Sequence, residues 1–464
     1  MALQEADRLV IFGITGDLAK KMTLPSLYRL ERRGMLNVPV ITVAFDDWTQ
    51  EQLINHARES IQTVEGNIDE TVFTRLAERL SYVHGDFNDP KLYSKLKKAL
   101  KGSVAATFYL EVPPQLFVVV AQHLYNADLL HGAARVVFEK PFGTSYATAV
   151  DLNRTLHTIM SEEQIFRLDH YLGKEPVQDV LYLRFGNTMF EPTWDSHYVD
   201  SIMITMSENF GVEDRGSFYD PVGTIRDVVQ NHLMQVLALV TMEVPVDTIA
   251  APRLDIFKAM PDADPAHVVR GQYAGYQDVK GVRPGSTTET FVALKLLINS
   301  WRWGGVPIFI RAGKNLPVKA TEVVVRMKKL KPLYINGRMR ESKWHDDVVL
   351  RLGNDPGVSL SVRVKTPGVD NLEPVQLSVD FAKALGDVPE PYELLLTSAM
   401  SGRRDLFPDE KTVEETWRIV QPILEMDTPP EIYQPGTWGP KRAIDMAASH
   451  GGWREPTCPD RPKS

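Results

Sequence analysis

The stretch "VIFGITGDLAK", Val10–Lys20, joins a short apolar run to the start of a helical pattern through a turn that contains Gly13 and Gly16. Glycines in such a turn let the backbone approach a phosphate, and the helix N-terminus supplies N–H donors and the positive end of its dipole. The pattern is G-x-x-G, which is shorter than the full G-x-G-x-x-G of dinucleotide-binding turns. On this pattern alone, a phosphate-binding turn and an ordinary strand-to-helix turn are equal alternatives.

The rest of the first third of the chain repeats this strand-then-helix order. Further apolar runs, separated by helical patterns, lie at residues 38–45, 80–86, 104–114 and 134–143. This alternation predicts a parallel sheet covered by helices on both faces, with ligands at the carboxyl ends of the strands. We therefore predict a Rossmann-like α/β dinucleotide-binding domain at residues 1–176.

From about residue 177 the pattern changes to closely spaced strands, several of which alternate apolar and polar residues. Such alternation is typical of an antiparallel sheet with one wetted face. Helical patterns lie among these strands at residues 227–242 and 390–402. The sequence thus predicts a larger α+β domain with a mostly antiparallel sheet at residues 177–464.

The composition of the 464 residues limits the classes of partner. The net charge of −8 argues against a nucleic-acid partner, which usually needs a basic surface. No apolar run approaches the roughly 18 residues of a membrane span, so no membrane partner is expected. The single cysteine, Cys458, and the absence of a secretory signal pattern favour a cytoplasmic protein.

The stretch "TVAFDDW", Thr42–Trp48, ends the second predicted strand, where an acid accepts from the 2′-hydroxyl of NAD and an arginine favours the 2′-phosphate of NADP. Asp46 and Asp47 would repel a 2′-phosphate if either pointed at it. The alternative is that both are solvated loop acids, or that one of them caps the helix that begins near Thr49.

Candidate acid–base groups lie in two segments. One is "FRLDHYLGKEP", Phe166–Pro176, and the other is the helical pattern that contains His232. Oxidation of an alcohol needs a base, and a carboxylate-oriented histidine suits that role near neutral pH. On local pattern alone, a hydrogen-bonded core histidine is the favoured interpretation of His232. Asp227 lies about 140° from His232 on an ideal α-helix, so the orienting acid is expected elsewhere.

Two further groups of polar residues could bind a substrate or a metal ion. Lys314 and Lys319, in "RAGKNLPVK", suit the binding of a polar substrate, although solvated surface lysines are the favoured interpretation in isolation. Asp169, His170 and Glu175 do not follow any standard metal-ligand spacing, so no metal site is predicted.

Taken together, these segments resemble the glucose-6-phosphate dehydrogenase family from about residue 8 to about residue 455. The motifs that carry the resemblance are "FGITGDLAKK", "EKPFG", "RLDHYLGKEPVQ", "GTIRDVVQNHL", "IRAGKNL" and "YQPGTWGP". The family oxidises D-glucose 6-phosphate to 6-phospho-D-glucono-1,5-lactone, the first oxidative step of the pentose phosphate pathway. The resemblance also implies a homodimer or homotetramer formed through the large sheet.

The resemblance implies a role for each matching residue. His232 corresponds to the general base that removes the C1 hydroxyl proton, and Asp169 to the carboxylate paired with it. The implied substrate contacts are His170, Tyr171 and Lys174 to the phosphate, Lys140 between substrate and coenzyme, and Glu208, Asp227, Lys314 and Lys319 to the sugar or its phosphate. The implied coenzyme contacts are Gly13, Ile14, Thr15, Gly16, Asp17, Leu18 and Lys20, with Phe45 and Asp46 at the 2′ position and Lys140 shared. Arg167 and Glu175 receive no role.

The coenzyme position departs from the family pattern. Phe45 replaces the arginine that usually grips the 2′-phosphate, and Asp46 follows it. We therefore expect NADP as the family default, with NAD accepted or even preferred. The alternative to an active dehydrogenase is a catalytically weak relative that binds a sugar phosphate or nucleotide as a regulator.

Overall fold

The computed structural model describes residues 4–329, 333–335, 338–340, 345–353, 355–368, 372–381, 386 and 388–456. The chain divides into two compact units. The first unit comprises residues 1–174 and 389–414, and the second comprises residues 175–388 and 415–464. Cys458 lies outside the described residues.

The first unit contains a six-stranded sheet in the order β3-β2-β1-β4-β5-β6, and every pairing in it is parallel. This confirms the predicted Rossmann-like fold. The strand order reverses between β1 and β4, which opens a ligand crevice at the carboxyl ends of these strands. The strands are β1 (Arg8–Phe12), β2 (Val40–Ala44), β3 (Leu80–His84), β4 (Ala106–Leu110), β5 (Arg135–Phe138) and β6 (Ile165–Arg167).

Helices bury both faces of this sheet. Alternate side chains of β1 enter opposite cores: Leu9 and Ile11 belong to one apolar cluster, and Val10 and Phe12 to the other. A strand buried on both faces reads as a continuous apolar run, which is why the sequence pattern identified it. The α-helices of this part of the chain are Leu24–Arg32, Gln50–Glu65, Glu70–Arg79, Pro90–Ala99, Phe117–Asn126 and Tyr146–His157.

The helix Pro391–Met400 belongs to the first unit, although the sequence-based division places it in the second domain. Its Leu395 lies in the same apolar cluster as Leu9. The buried Arg135, at the start of β5, donates from Nη1 to the carbonyl oxygens of Ala399 and Met400 at 2.8 Å each. Packing and hydrogen bonds therefore place this late segment against the six-stranded sheet of the first unit. Local sequence patterns do not reveal this long-range contact.

The second unit is built on a nine-stranded sheet in the order β16-β15-β14-β11-β7-β10-β9-β8-β17. Among the described strands of this second sheet, only the β7–β10 and β8–β17 pairs are parallel, which confirms the predicted mostly antiparallel sheet. Its strands are β7 (Val199–Ser207), β8 (Val268–Tyr273), β9 (Phe291–Leu296), β10 (Ile308–Gly313), β11 (Ala320–Met327), β14 (Asp347–Arg351), β15 (Gly357–Lys365), β16 (Leu372–Asp380) and β17 (Glu431–Tyr433). A separate hairpin pairs β12 (Leu333–Ile335) with β13 (Arg338–Arg340).

Apart from short 3₁₀ segments, the remaining helices of the described residues are α-helical except for two π-helical segments, Ala19–Thr23 and Ile225–Leu233. The α-helices are Glu175–Phe185, Gly216–Tyr219, Met234–Thr241, Ala250–Ala259, Glu410–Leu424 and Lys441–Asp445. None of the helices within the described ranges is both long enough and apolar enough to cross a lipid bilayer.

Candidate active site

The chain turns sharply at Gly13, directly after β1. Gly13 has a φ of +90°, and its N–H donates to the carbonyl oxygen of Val43 at 2.7 Å. A Cβ at this position would lie 2.1 Å from the carbonyl oxygen of Glu111, closer than any side-chain carbon can come. Glycine is therefore required here, because it alone combines a positive φ with so close an approach of two backbones.

The residues after Gly13 form an exposed loop and helix start. The N–H of Gly16 donates to the carbonyl oxygen of Gly13 at 2.9 Å, which closes the turn before the helix begins at Asp17. Gly16, Asp17 and Lys20 are exposed, Thr15 and Leu18 are half-buried, and Ile14 is buried in the core. A backbone cradle that excludes a Cβ, beside an exposed helix N-terminus, fits the pyrophosphate of a dinucleotide.

The loop that follows β2 presents an aromatic side chain and two acids. Phe45 is 67% exposed, and Asp46 and Asp47 are exposed beside it. The Tyr82 hydroxyl donates to the carbonyl oxygen of Asp46 at 2.6 Å, and its burial, with the nearby Asp46 and Asp47 carboxylates, raises the pKa of Tyr82 to about 12.

Neither aspartate caps the helix that follows. Thr49 occupies the N-cap, where its side chain accepts from the Gln52 N–H at 3.2 Å and the Gln52 side chain accepts from the Thr49 N–H at 2.8 Å. The capping alternative for Asp46 and Asp47 is thus wrong, because a capping box already satisfies the helix start. Both carboxylates lie at the exposed end of the coenzyme strand.

Two acids lie at the carboxyl edge of the same sheet, where the half-buried Glu111 follows β4 and the buried Glu139 follows β5. The Tyr109 hydroxyl donates to Glu139 Oε1 at 2.6 Å, and the Tyr392 hydroxyl donates to the same oxygen at 3.2 Å. The Thr23 hydroxyl donates to Glu111 Oε1. Burial raises the pKa of both carboxyl groups above the usual range of glutamate. This pair is hard to find from the sequence, because its only signal is an acid immediately after an apolar strand.

The predicted phosphate-binding residues lie on one tight turn after β6. Asp169 is buried, and its Oδ1 accepts from the N–H of Tyr171 at 2.9 Å. The Lys174 Nζ lies 3.8 Å from the centroid of the Tyr171 ring, and the His170 ring centroid lies 5.3 Å from the same ring. The structure therefore brings His170, Tyr171 and Lys174 together on the turn that Asp169 opens.

Arg167, which received no role from the sequence, is fully buried behind this turn. Its Nη1 donates to Glu162 Oε1 at 2.8 Å, and its Nη2 donates to Glu162 Oε2 at 3.1 Å and to Asn153 Oδ1 at 2.8 Å. The bidentate pair ties the end of β6 to the segment that precedes this strand, and the bond to Asn153 ties it to the helix Tyr146–His157. After the neighbouring strand β5, Lys140 follows Glu139 and is half-buried, and its peptide bond to Pro141 is cis.

In the second unit, Glu208, Asp227 and Lys314 line one cavity of about 290 Å³. The Lys314 Nζ forms an ion pair with the Glu208 carboxylate and lies 5.1 Å from the centroid of the Tyr219 ring. Lys319 is exposed, with its Nζ 5.9 Å from the ring centroid of Phe210, which lines the same cavity. Residues distant in sequence thus meet in a polar pocket with aromatic walls.

Asp227 and His232 lie on the π-helix Ile225–Leu233, and His232 is 1% exposed. The N–H of Met234 reaches back to the carbonyl oxygen of Val229, five residues earlier. In such a helix, residues five apart lie about one turn from each other. The predicted 140° separation of Asp227 and His232 is therefore wrong, because it assumed α-helical geometry, and the two residues fall on the same side of the helix.

We expect Glu139→Gln to stabilise the protein more at neutral than at acidic pH. Burial raises the pKa of Glu139 from its ordinary value of 4.5 to about 7. Between these values the folded chain keeps a proton that the unfolded chain has lost, so the stability of the parent protein falls as pH rises. The glutamine keeps the hydrogen-bond acceptor but does not titrate, so it avoids this loss of stability. The loss amounts to a few kcal/mol at neutral pH, at about 1.4 kcal/mol per pKa unit.

Thermal unfolding of both proteins between pH 5 and pH 7.5 measures this effect. The Tm of Glu139→Gln minus the Tm of the parent protein should increase as the pH rises across this range. The exposed Glu51→Gln serves as the matched control and should show no such trend. A constant Tm difference for Glu139→Gln would contradict the prediction.

Comparison with known families matches both units of the chain. Residues 10–179 match the model of the glucose-6-phosphate dehydrogenase NAD-binding domain, and residues 181–454 match the model of the glucose-6-phosphate dehydrogenase C-terminal domain. Together the two matches cover nearly the whole chain, in the order expected for one protein.

Individual proteins of the same family are also similar to this chain. The chain is 48% identical to glucose-6-phosphate 1-dehydrogenase 1 of Mycobacterium bovis over 460 residues, covering 98% of this chain and 97% of the relative. A crystal structure of glucose-6-phosphate 1-dehydrogenase from Mycobacterium avium is 47% identical, with a TM-score of 0.90 over 98% of this chain and 100% of that one. A glucose-6-phosphate dehydrogenase solved in complex with glucose 6-phosphate is 30% identical, with a TM-score of 0.90 and the same coverage. The chain belongs to the glucose-6-phosphate dehydrogenase family.

Proposed function

We propose that this protein is an NAD(P)-dependent oxidoreductase that oxidises D-glucose 6-phosphate to 6-phospho-D-glucono-1,5-lactone, the first oxidative step of the pentose phosphate pathway. The observation that carries the proposal is the cavity in which Glu208, Asp227 and Lys314 meet, within a chain whose two units match the two domains of the family. The first unit supplies the coenzyme turn and the second supplies this sugar-sized pocket.

Phosphate binding is assigned to His170, Tyr171 and Lys174. A lysine, a protonated histidine and a tyrosine hydroxyl provide donors that suit a phosphate dianion. The position of all three side chains on one turn supports this assignment. Binding the phosphate away from C1 uses remote binding energy to orient the reacting carbon. Lys319 is proposed to add positive charge from the second unit, and Lys140 to lie between sugar and coenzyme.

The redox step is assigned to His232 and Asp169. We propose that His232 takes the C1 hydroxyl proton and that Asp169 orients and stabilises the imidazolium that forms. The bound nicotinamide ring supplies the acceptor for the C1 hydride. The burial of each side chain supports these roles, because electrostatic interactions are stronger for groups that are shielded from water.

We expect His232→Asn to lower kcat by about 10²–10⁴-fold, the usual contribution of a general base. The KM for glucose 6-phosphate should change far less, because asparagine retains a polar side chain and the phosphate-binding residues are untouched. Reduction of the coenzyme, followed at 340 nm, measures both constants. Replacement of the exposed His267 with asparagine is the matched control. Near-normal turnover by His232→Asn would remove the base assignment.

The same assay on the unmodified protein tests the alternative of a catalytically weak, regulatory relative. Absence of coenzyme reduction with glucose 6-phosphate and either NAD or NADP would favour that alternative. A panel of other hexose phosphates would then show whether the pocket serves a different sugar phosphate.

We propose that the coenzyme site discriminates weakly against NAD, with NADP as the family default. The exposed Phe45 supports this, because it occupies the position from which an arginine would bind the 2′-phosphate. The exposed Asp46 adds a negative charge where that phosphate would lie. A hydroxyl at the same place would be accepted, since a carboxylate is the usual partner of the ribose 2′-hydroxyl.

The ratio of kcat/KM for NADP to kcat/KM for NAD should accordingly stay well below a thousand. Phe45→Arg should raise this ratio by about tenfold or more, because a guanidinium binds phosphate in a bidentate, charge-assisted manner. Phe45→Leu, which adds no charge, is the control and should leave the ratio nearly unchanged. A thousandfold preference for NADP in the parent protein would overturn weak discrimination.

We also propose a homodimer or homotetramer formed through the large sheet. The edge strand β16 supports this, because Val375, Leu377 and Val379 expose alternate apolar side chains along it. Apolar side chains on an exposed strand edge favour association with another chain.

Sedimentation equilibrium at micromolar concentration should therefore show a dimer or a larger oligomer. Leu377→Glu should shift it toward the monomer, whereas Val246→Glu, at another exposed valine, should not. A monomeric parent protein would contradict the proposal.

A cytoplasmic location is the last part of this proposal. A single cysteine cannot form an intrachain disulfide, which is typical of proteins in a reducing compartment. Cell fractionation with an antibody against the chain tests the location, and recovery outside the cytoplasmic fraction would refute it.

A further inference from the structure

Glu289, just before β9, holds the start of the π-helix that carries Asp227 and His232. Its Oε1 accepts from the N–H of Ile225 at 3.0 Å. Its main-chain carbonyl oxygen accepts from the N–H of Thr224 at 3.1 Å. The side chain and backbone of one residue thus bind two of the N–H groups that a helix start leaves without partners inside the helix.

Gly223 makes this approach possible. It has a φ of +70°, and a Cβ there would lie 2.6 Å from Glu289 Oε1 and 2.8 Å from its carboxyl carbon. A larger residue would push the carboxyl group away from the helix. The hydrogen bond from the Ile225 N–H to Glu289 therefore depends on a glycine at position 223.

The next residue, Thr290, fixes a second wall of the cavity. Its carbonyl oxygen accepts from the N–H of Lys314 at 2.9 Å. The Lys314 carbonyl oxygen in turn accepts from the Tyr433 hydroxyl at 2.6 Å. The dipeptide Glu289–Thr290 therefore ties the π-helix to the strand end that carries Lys314, so these two cavity walls share one anchor.

The hydrogen bond that Glu289 accepts from the Ile225 N–H is accompanied by the positive charges of Arg270 and Arg226. The nearest approach of Arg270 is 3.6 Å, from Nη2 to Oε2, which is longer than a hydrogen bond. Burial raises the pKa of Glu289, and the opposing effects of Arg270 and Arg226 do not cancel that rise. An amide can therefore replace the carboxyl group as acceptor for the Ile225 N–H.

We propose that Glu289 is a positioning residue for the oxidation of glucose 6-phosphate, which sets the place of the π-helix relative to Lys314. The inference rests on the proposed function of the cavity. Loss of the acceptor leaves the helix start without its partner and displaces Asp227 and His232 together. A displacement of about 1 Å at such groups costs on the order of a hundredfold in rate.

The test compares Glu289→Ala with Glu289→Gln in the full-length protein. The alanine variant should lose about 10–100-fold in kcat/KM for glucose 6-phosphate, as is typical when a supporting hydrogen bond is removed. Its KM for the coenzyme should stay within about twofold, because the coenzyme turn belongs to the first unit. The glutamine variant, which keeps the acceptor, should retain kcat/KM within about threefold.

Glu322→Ala is the matched control for the loss of a buried glutamate. Glu322 lies in β11 of the same sheet, is 5% exposed, and has Arg311 and Arg454 as its charged neighbours. Both alanine variants should lower Tm, but only Glu289→Ala should lose kcat/KM for the sugar phosphate. Equal kinetic losses in both would overturn the positioning role, since general destabilisation would then explain them.

Two further outcomes decide the proposal. A folded Glu289→Ala protein with parental kcat/KM would refute it, as would an equally large loss in the glutamine variant. If the alanine variant does not fold, Glu289→Asp replaces it, because its carboxyl group is one methylene short of the helix; parental kcat/KM there would equally refute the role. Failure of the parent protein to oxidise glucose 6-phosphate would instead refute the proposed function.

Discussion

The approach of the Gly13 backbone to the Glu111 carbonyl group is the constraint on which the coenzyme sheet depends. It lets the ends of β1 and β4 meet where the strand order reverses, and it turns the chain straight from strand into helix. The second unit repeats the principle with a side chain, since Gly223 admits the Glu289 carboxyl group to a helix start. In both places an absent Cβ lets a distant part of the chain come close to the start of a helix.

The main elements of the fold could be predicted where apolar runs are long. The strands β1, β2, β4 and β5 are buried and β3 is partly buried, and all five read as apolar runs bounded by helical patterns. The strand β6 escaped recognition because three residues are too few to show a period. The strand β8 contains Arg270 and Gly271, and β16 contains Pro374, which weaken the strand pattern although pairing with neighbouring strands holds them in the sheet.

Sequence motifs predict which residues form the candidate site, but they do not predict how those residues are arranged. The separation of Asp227 and His232 was misjudged because local sequence does not distinguish an i→i+5 helix from an α-helix. Glu289 was missed because "TTETF" reads as the polar start of a strand, and its partners at the helix start lie some 65 residues earlier in the chain. Long-range hydrogen bonds of this kind leave no periodic signal.

The return of Pro391–Met400 to the coenzyme sheet has a consequence for the order of folding during synthesis. Leu395 and its neighbours fill part of the apolar cluster that contains Leu9. Arg135 donates to the carbonyl oxygens of Ala399 and Met400, so these bonds cannot form until both residues have been made. While the ribosome makes the intervening second unit, that face of the nascent first unit is apolar and uncovered. An exposed apolar surface on a partly folded chain promotes aggregation, and this one is covered only after Pro391–Met400 has been made.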